Sequence, residues 1–71
     1  MSVQTVWNGA PPKKCDLCGK QIGETFVDGK TKQGPWGILC VFCHVKFGVG
    51  LGNGKGQEYR MAGNKWVKTA G

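Results

Sequence analysis

Long apolar runs are missing from this sequence of 71 residues, whose apolar stretches are each only a few residues long. A helix that spans a membrane needs about 20 consecutive, mostly apolar residues, so none is expected here. The N-terminus has no basic segment followed by an apolar one, and no signal peptide is therefore visible. These absences predict a cytoplasmic protein, in a compartment where thiols stay reduced and cysteine pairs more often bind metal.

Few side chains are available for acid–base catalysis. The chain has one histidine, and its four acidic residues are scattered, which favours surface or turn positions over a catalytic carboxylate pair. A single histidine also argues against an open catalytic zinc site, and no Ser-His-Asp arrangement is apparent. We therefore expect a protein that is not an enzyme. The four acids are Asp16, Glu24, Asp28 and Glu58.

Glycine, in contrast, is abundant, with 13 residues in the chain. Glycine loses more backbone freedom on folding than any other residue, which makes a small domain harder to stabilise. A core of fewer than about 70–80 residues rarely leaves a net stability above ~3–5 kcal/mol. An additional constraint is therefore expected, and the four cysteines are the candidates to supply it.

The cysteines form two pairs, each with two residues between its members, and 21 residues separate the pairs. This spacing predicts one structural Zn²⁺ ion in a closed tetrahedral site, with each pair binding the metal across a tight turn. Gly19 permits the left-handed backbone that such a turn often needs. Apparent binding energies of ~10–16 kcal/mol would make metal binding and folding one event. The predicted ligands are Cys15, Cys18, Cys40 and Cys43.

Other uses of the cysteines have less support. Two disulfides would need an oxidising compartment, and a redox pair would need a thioredoxin-like βαβ unit for which there is no room. Residues 15–19 also resemble the first cysteine pair of rubredoxin-type proteins, a resemblance that implies iron and electron transfer. His44 stands where that family has glycine. His44 could itself be a ligand, but four cysteines complete the site, so we expect it on the helix surface or supporting the ligands from outside.

The pattern as a whole predicts a small metal-stabilised α+β protein. The turn dipeptide Asp28-Gly29 and the return strand Lys30-Thr31 predict a hairpin between the cysteine pairs. A short helix is predicted from about Cys40 to Phe47, with Gly48 at its end. The predicted segments are an N-terminal strand or docking tail (1–14), a zinc finger (15–47), a glycine-rich connector (48–56) and a C-terminal hairpin (57–71).

Every second residue from Gly48 to Gly56 is glycine, which is too much glycine for a helix or a central strand. Neither of the glycine fingerprints for phosphate binding fits this segment. In an extended chain these glycines would share one smooth face that could lie against a partner. The alternative is a loop or internal packing between the finger and the terminal hairpin.

Most of the seven aromatic residues should lie in the core, because a small domain needs large apolar side chains. Trp36 and Phe42, close to the second cysteine pair, are predicted to be core residues. Trp7 and Trp66 are predicted to lie at the surface, where an indole ring could stack on a base or fill a pocket in another protein.

The order of knuckle, hairpin and second cysteine pair entering a helix is similar to that of a treble-clef zinc finger. The stretch from Gly34 to Cys43, with its Gly-Pro-Trp entry, resembles GATA-type fingers, and the resemblance covers about residues 15–47. In that family a tryptophan precedes the second pair and the following helix reads DNA, which implies a nucleic-acid partner. The gap between the pairs is longer here, and glycine alternation replaces the family's basic C-terminal extension.

Two further resemblances concern other parts of the chain. Residues 15–22 resemble, more loosely, the four-cysteine finger of TraR/DksA-type polymerase-binding proteins, whose preceding helices this chain lacks. The whole chain resembles short four-cysteine proteins encoded by bacteriophages and prophages, in which the Gly-Pro-Trp entry, the alternating glycines and a closing Trp-Val-Lys recur together. That resemblance implies a location in the host cytoplasm and no particular activity.

The net charge of +6 favours an anionic partner. Only one of the ten basic residues is arginine, which is the main reader of guanine, so nucleic acid would be bound through phosphates with low sequence specificity. The alternative partner is an acidic host protein, for which the chain would be an adaptor or modulator, and the oligomeric state is left open. The candidate phosphate-binding residues are Lys13, Lys14, Lys20, Lys46, Lys55 and Arg60.

Overall fold

The computed structural model describes residues 5–7 and 9–71, in a small α+β arrangement of four strands and one helix. The strands form one antiparallel sheet in the order β2-β1-β3-β4, and the helix packs against β1 and β2. Part of the predicted N-terminal strand or tail lies outside the described residues. The elements are β1 (Thr25–Lys30), β2 (Trp36–Leu39), α1 (Val41–Phe47), β3 (Gly56–Ala62) and β4 (Lys65–Ala70).

The predicted hairpin turn at Asp28-Gly29 is wrong, because β1 runs straight through both residues. The chain turns instead between Thr31 and Gly34, where the Gly34 N–H donates to the Thr31 carbonyl at 3.0 Å and Gly34 has a φ of +117°. Gly29 has another role, since it pairs with a glycine on each neighbouring strand. A Cβ at Gly29 would lie 3.2 Å from the Lys55 carbonyl oxygen, so glycine here permits close backbone packing.

The predicted helix is confirmed. Cys40 is its N-cap, α1 ends at Phe47, and the Gly48 N–H donates to the His44 carbonyl at 2.9 Å. Gly48 has a φ of −77°, so it does not end the helix through a left-handed conformation. Glycine is needed there because the His44 side chain lies against it, and a Cβ would also come within 2.6 Å of the His44 carbonyl oxygen.

The C-terminal hairpin is also confirmed, with β3 and β4 joined by Gly63 and Asn64. Gly63 has a φ of +65°, which glycine adopts at little cost in such a short turn. Strand β3 also pairs with β1, in a register that sets Phe26 opposite Tyr59. The two hairpins therefore share one continuous sheet, which the sequence pattern did not predict.

The core contains an aromatic cluster, which we define as Trp7, Phe26, Tyr59 and Trp66. Phe26 stacks on Tyr59 with ring centroids 5.2 Å apart and meets Trp66 edge-to-face at 4.8 Å. The Trp7 ring lies edge-on to Phe26 at 5.3 Å, and the backbone N–H of Trp7 donates to the Trp66 carbonyl at 2.9 Å. The surface positions predicted for Trp7 and Trp66 are thus wrong, because pairing with β3 brings Trp66 to the same face as Tyr59.

The core positions predicted for Trp36 and Phe42 are wrong as well. Trp36 begins the edge strand β2 and is half exposed, with its indole N–H donating to the Asp28 carboxylate at 2.6 Å. Phe42 is 63% exposed, because α1 turns Cys43 inward and Phe42 outward. Proximity to a cysteine pair in sequence therefore did not decide burial.

The glycine-rich connector forms a folded loop. Gly50, Gly52 and Gly54 have φ values of +111°, +127° and +74°, so the segment is not the extended chain in which its glycines would share a face. Two backbone hydrogen bonds fix the loop to the end of β1, since the Val49 N–H donates to Lys30 and the Lys30 N–H donates to Lys55. The loop or internal-packing alternative is therefore the one that the structure adopts.

Candidate metal centre

The four predicted ligands come together, with their Sγ atoms all within 4.8 Å of one another. The Cys18 and Cys40 Sγ atoms are 3.7 Å apart. Four thiolates at about 2.3 Å from a tetrahedral Zn²⁺ ion would have sulfur atoms about 3.8 Å apart, so the cluster has the size of such a site. None of the four is in a disulfide, which would need a sulfur separation of about 2.05 Å.

The first cysteine pair lies in a tight knuckle between two short backbone segments. The Cys15 N–H donates to the Lys20 carbonyl at 2.9 Å, and the Gly19 N–H donates back to the Cys15 carbonyl at 3.0 Å. Gly19 has the left-handed φ of +74° that the sequence predicted. The Leu17 N–H points at the Cys15 Sγ atom at 3.4 Å, an arrangement that stabilises a thiolate.

The second pair lies where β2 passes into α1. Cys40 precedes the first helical residue, and its Sγ atom accepts a hydrogen bond from the Cys43 N–H at 3.5 Å. A sulfur atom thus satisfies one of the free N–H groups at the start of the helix. Cys43, one turn further, lies on the buried side of α1 and faces the first pair.

Asp16 joins the knuckle to the sheet, and sequence reasoning missed this role. The Asp16 N–H donates to the Ile38 carbonyl at 2.8 Å, and its carboxylate accepts from the Ile38 N–H at 2.9 Å. Ile38 lies in the edge strand β2, so Asp16 satisfies both outward backbone groups of that residue. The only signal in the sequence was an acidic side chain inside the knuckle, too weak to identify its partner.

The thiols differ in burial and in acidity. Cys15 and Cys43 are each only 3% exposed, whereas Cys18 is exposed. Burial raises the pKa of the Cys43 thiol to about 12, with hydrogen bonds to the other three cysteine side chains adding to the effect. Burial alone would also raise the pKa of Cys15, but N–H groups of Cys18, Cys40 and Leu17 lower it to about 6. A cation bound by all four sulfurs would displace the thiol protons.

His44 is not part of the sulfur cluster. Its Nε2–H group donates to the Gly50 carbonyl at 3.1 Å, and its half-buried ring lies against Gly48. The side chain therefore fixes the glycine-rich connector to α1, directly after Cys43. The position of His44 agrees with the prediction that it lies outside the ligand set. Its partner, the Gly50 carbonyl, could not be predicted from the sequence.

Three of the predicted phosphate-binding residues lie together beside the knuckle. The Ile22 N–H donates to the Lys13 carbonyl at 2.8 Å, and the backbones of Lys14 and Gln21 form an antiparallel β-bridge. The segments that carry Lys13, Lys14 and Lys20 therefore run side by side. We call these three exposed residues the knuckle lysines. The other three are in separate elements: Lys46 in α1, Lys55 in the connector and Arg60 in β3.

Comparisons of the chain with protein families, with curated proteins and with solved structures find no match. No helix in the described ranges, 5–7 and 9–71, is long and apolar enough to cross a membrane. What can be said of the function therefore depends on the site itself. The site is a cluster of four thiols that could hold a metal ion and so stabilise the fold.

Proposed function

We propose that the protein is a zinc-stabilised binding module without enzymatic activity. The observation that carries the proposal is the closure of the site by four cysteine sulfurs within 4.8 Å, which leaves no ligand position for a substrate. Cys15 and Cys18 of the knuckle, with Cys40 and Cys43 at the start of α1, would hold the ion, and its bonds to these four sulfurs would fix the knuckle against α1 and β2. Leu17 and Cys43 support it by directing their N–H groups at the ligand sulfurs Cys15 and Cys40.

The arrangement around the cysteines supports a treble-clef finger. A knuckle, a hairpin and a helix that begins at the second cysteine pair follow one another in that order along the chain. The bacteriophage or prophage origin and the cytoplasmic location stay predictions from the sequence. A rubredoxin-like iron site uses the same four thiolates, so the metal has to be measured.

Metal analysis tests the first part of the proposal. We expect protein purified without added metal to contain one zinc per chain, to be colourless, and to lose its dispersed amide NMR spectrum on chelation. One iron per chain and a red colour would instead support a rubredoxin-like iron site that functions in electron transfer. A metal-free protein with an unchanged spectrum would refute the structural role altogether.

For the partner, we propose nucleic acid, bound through phosphates with low sequence specificity. The knuckle lysines support this, because backbone hydrogen bonds hold the two segments that carry these three exposed lysines side by side. Lysine contacts phosphates as a point charge and carries little sequence information. The carboxylate of Asp16, the acidic residue of the knuckle, accepts a hydrogen bond from the Ile38 N–H.

The salt dependence of binding tests this assignment. Fluorescence anisotropy with labelled 20-nucleotide DNA and RNA should give a log–log salt slope near about −4, and Lys13, Lys14 and Lys20→Gln together should reduce its magnitude by about 3. Lys30, Lys32 and Lys65→Gln is the control with the same change in charge. Equal losses in both triple variants, or no binding at low salt, would refute the role of the knuckle lysines.

A second candidate function is that of a protein-binding adaptor. One observation favours it: α1 exposes large apolar side chains instead of the polar ones usual on a helix surface. This surface differs from the knuckle lysines, so the two functions do not exclude each other.

A further inference from the structure

Solvent reaches the four cysteine side chains to different extents. Cys15 and Cys43 are each 3% exposed, whereas Cys18 is exposed and Cys40 is partly buried. The contact between the Cys18 and Cys40 Sγ atoms, which are 3.7 Å apart, is itself exposed. A small oxidant in solution therefore reaches this pair of sulfurs more easily than it reaches the buried pair.

Backbone N–H groups also distinguish the sulfurs. The Cys15 Sγ atom accepts from the Leu17 N–H at 3.4 Å, and the Cys40 Sγ atom accepts from the Cys43 N–H at 3.5 Å. Within residues 5–7 and 9–71, no N–H group donates to the Cys18 Sγ atom. Because such hydrogen bonds stabilise a thiolate and lower its intrinsic nucleophilicity, Cys18 combines exposure with an undiminished reactivity.

Cys18 and Cys40 belong to the two parts of the site that come from distant segments of the chain. Cys18 lies in the knuckle, and Cys40 is the N-cap of α1, 22 positions further along. A disulfide needs a sulfur separation of about 2.05 Å, so the two Sγ atoms would have to approach by about 1.7 Å. The resulting bond would link the knuckle to α1 and remove both sulfurs from any metal.

We propose that Cys18 is a site of oxidation by a peroxide, with Cys40 as its resolving partner, so that oxidation forms a Cys18–Cys40 disulfide and releases the zinc ion. The inference rests on the zinc site of the proposed function and adds its regulation. Zinc ligands are thiolates whether exposed or buried, so access and nucleophilicity decide which sulfur is oxidised first.

The reaction has two steps. The Cys18 thiolate attacks one oxygen of hydrogen peroxide, the O–O bond breaks, and hydroxide leaves, which oxidises the sulfur to a sulfenic acid and reduces the peroxide. The Cys40 thiolate then attacks the Cys18 sulfur, the S–S bond forms, and the S–O bond breaks to release a second hydroxide. Both hydroxides take up protons from the buffer and become water.

The disulfide changes what the site can hold. Cys15 and Cys43, the two sulfurs that remain, do not complete a tetrahedral site and no longer retain the ion. The new bond still joins the knuckle to the start of α1, so the oxidised chain is expected to be less stable but not freely extended. A dithiol reductant reverses the bond by thiol–disulfide exchange, after which the four thiols can bind zinc again.

The test treats the zinc-loaded full chain with limiting hydrogen peroxide. A chromogenic chelator measures zinc release, with a sample without peroxide as the control for zinc that the chelator itself removes. Alkylation and peptide mass spectrometry locate the thiols that are lost. We expect one zinc released for each disulfide, joint loss of the Cys18 and Cys40 thiols, and a dimedone adduct on Cys18. Dithiothreitol with added zinc should restore the original amide NMR spectrum.

Two variants with equal numbers of thiols separate the exposed sulfur from a buried one. Cys18→His can still complete a site of three thiolates and one imidazole, so it should keep zinc and release it about tenfold or more slowly in peroxide. Cys43→His is the matched control, which keeps Cys18 and Cys40 and should release zinc at the wild-type rate. If an imidazole at this buried position prevents folding, the wild-type peptide map decides without any substitution.

The proposal would be overturned by a first disulfide between any other two cysteines, by zinc release without a disulfide, or by equal peroxide sensitivity of Cys18→His and wild type. The zinc content before treatment distinguishes its failure from that of the proposed function. One zinc per chain that stays bound throughout the treatment would overturn the oxidation site alone. A starting protein without zinc would overturn the zinc-stabilised function together with this inference.

Discussion

The two sides of the sheet are stabilised by different interactions. On the side that carries the cysteines, Cys15 and Cys43 are buried with Val27 and Leu39, and the knuckle is fixed to β2 by Asp16. On the other side, the aromatic cluster packs ring against ring around Phe26. If the cysteines hold an ion as proposed, the first side depends on bonds to that ion, whereas the second depends on apolar burial.

This difference predicts how each side of the sheet loses stability when a residue is changed. Coordination is lost as a whole when one ligand is removed, because an open site no longer holds the others in place. Aromatic packing is lost in proportion to the atoms removed, because dispersion and burial are sums over many contacts. The variants below test the comparison, in order of decreasing expected effect.

Removal of a metal ligand should have the largest effect. Cys40→Ser should release the ion and unfold the whole chain, because the lost ~10–16 kcal/mol of apparent binding energy exceeds what a core of this size supplies. Far-UV circular dichroism and metal content measure the result, with chelated and zinc-restored wild-type protein as the control. If β3 and β4 kept dispersed amide signals in this variant, the aromatic side would be stable by itself.

Truncation of Phe26 should have a smaller, graded effect. Phe26 is completely buried, so Phe26→Ala should lower the free energy of unfolding by about 3–5 kcal/mol while the zinc-loaded chain stays folded. Denaturant unfolding at fixed zinc concentration measures the difference. Phe42→Ala is the control, and as an exposed site it should stay within about 0.5 kcal/mol of wild type. A similar loss in both variants would contradict the assigned core.

Gly48→Ala tests the contact between α1 and the connector. The new Cβ would meet the His44 ring and carbonyl oxygen, so we expect a loss of about 1–3 kcal/mol. Gly23→Ala is the control, because a Cβ at Gly23 would have no atom within 4 Å and its φ is not positive. His44→Ala in the Gly48→Ala background should recover only the ring's part of the loss. Equal thermal midpoints for Gly48→Ala and Gly23→Ala would refute the contact.

Alkaline pH should weaken the aromatic side by a small amount. Burial raises the pKa of Tyr59 above its usual 10.0, and the negative charge of Asp28 adds to this. The neutral phenol is thus favoured in the folded state, so its contribution is fully present below about pH 10 and is lost as the pH rises through the folded pKa. The stability difference between wild type and Tyr59→Phe should change above pH 10. A constant difference up to pH 12 would contradict the burial of the hydroxyl.

Local signals in the sequence predicted the local structures correctly. The cysteine spacing predicted the sulfur cluster, Cys40 to Phe47 predicted the helix, and Gly63-Asn64 lies at the turn of the predicted terminal hairpin. The helix and the hairpin depend on residues within a few positions of one another, and the sulfur cluster follows from two cysteine pairs at a spacing typical of metal ligands. Treble-clef geometry, zinc identity and nucleic-acid binding stay predictions.

The errors came from contacts between distant segments. Asp28-Gly29 has the composition of a turn, but Gly29 lies inside β1, where it pairs with a glycine on each neighbouring strand. Trp66 was predicted to lie at the surface, but the pairing of β3 with β1 places it against Phe26. Trp36 resembled a core residue, although it begins an edge strand.

The sequence by itself therefore determined the chemistry of this protein: four thiols at metal-binding spacing, an excess of positive charge, and a small, glycine-rich chain for which a further constraint is predicted. Only the tertiary structure decided which aromatic residues are buried, that Asp16 and His44 position the segments around the cysteines, and that α1 turns an apolar face outward. The physical reason is that ligand type and charge belong to single residues, whereas burial depends on which strands pair.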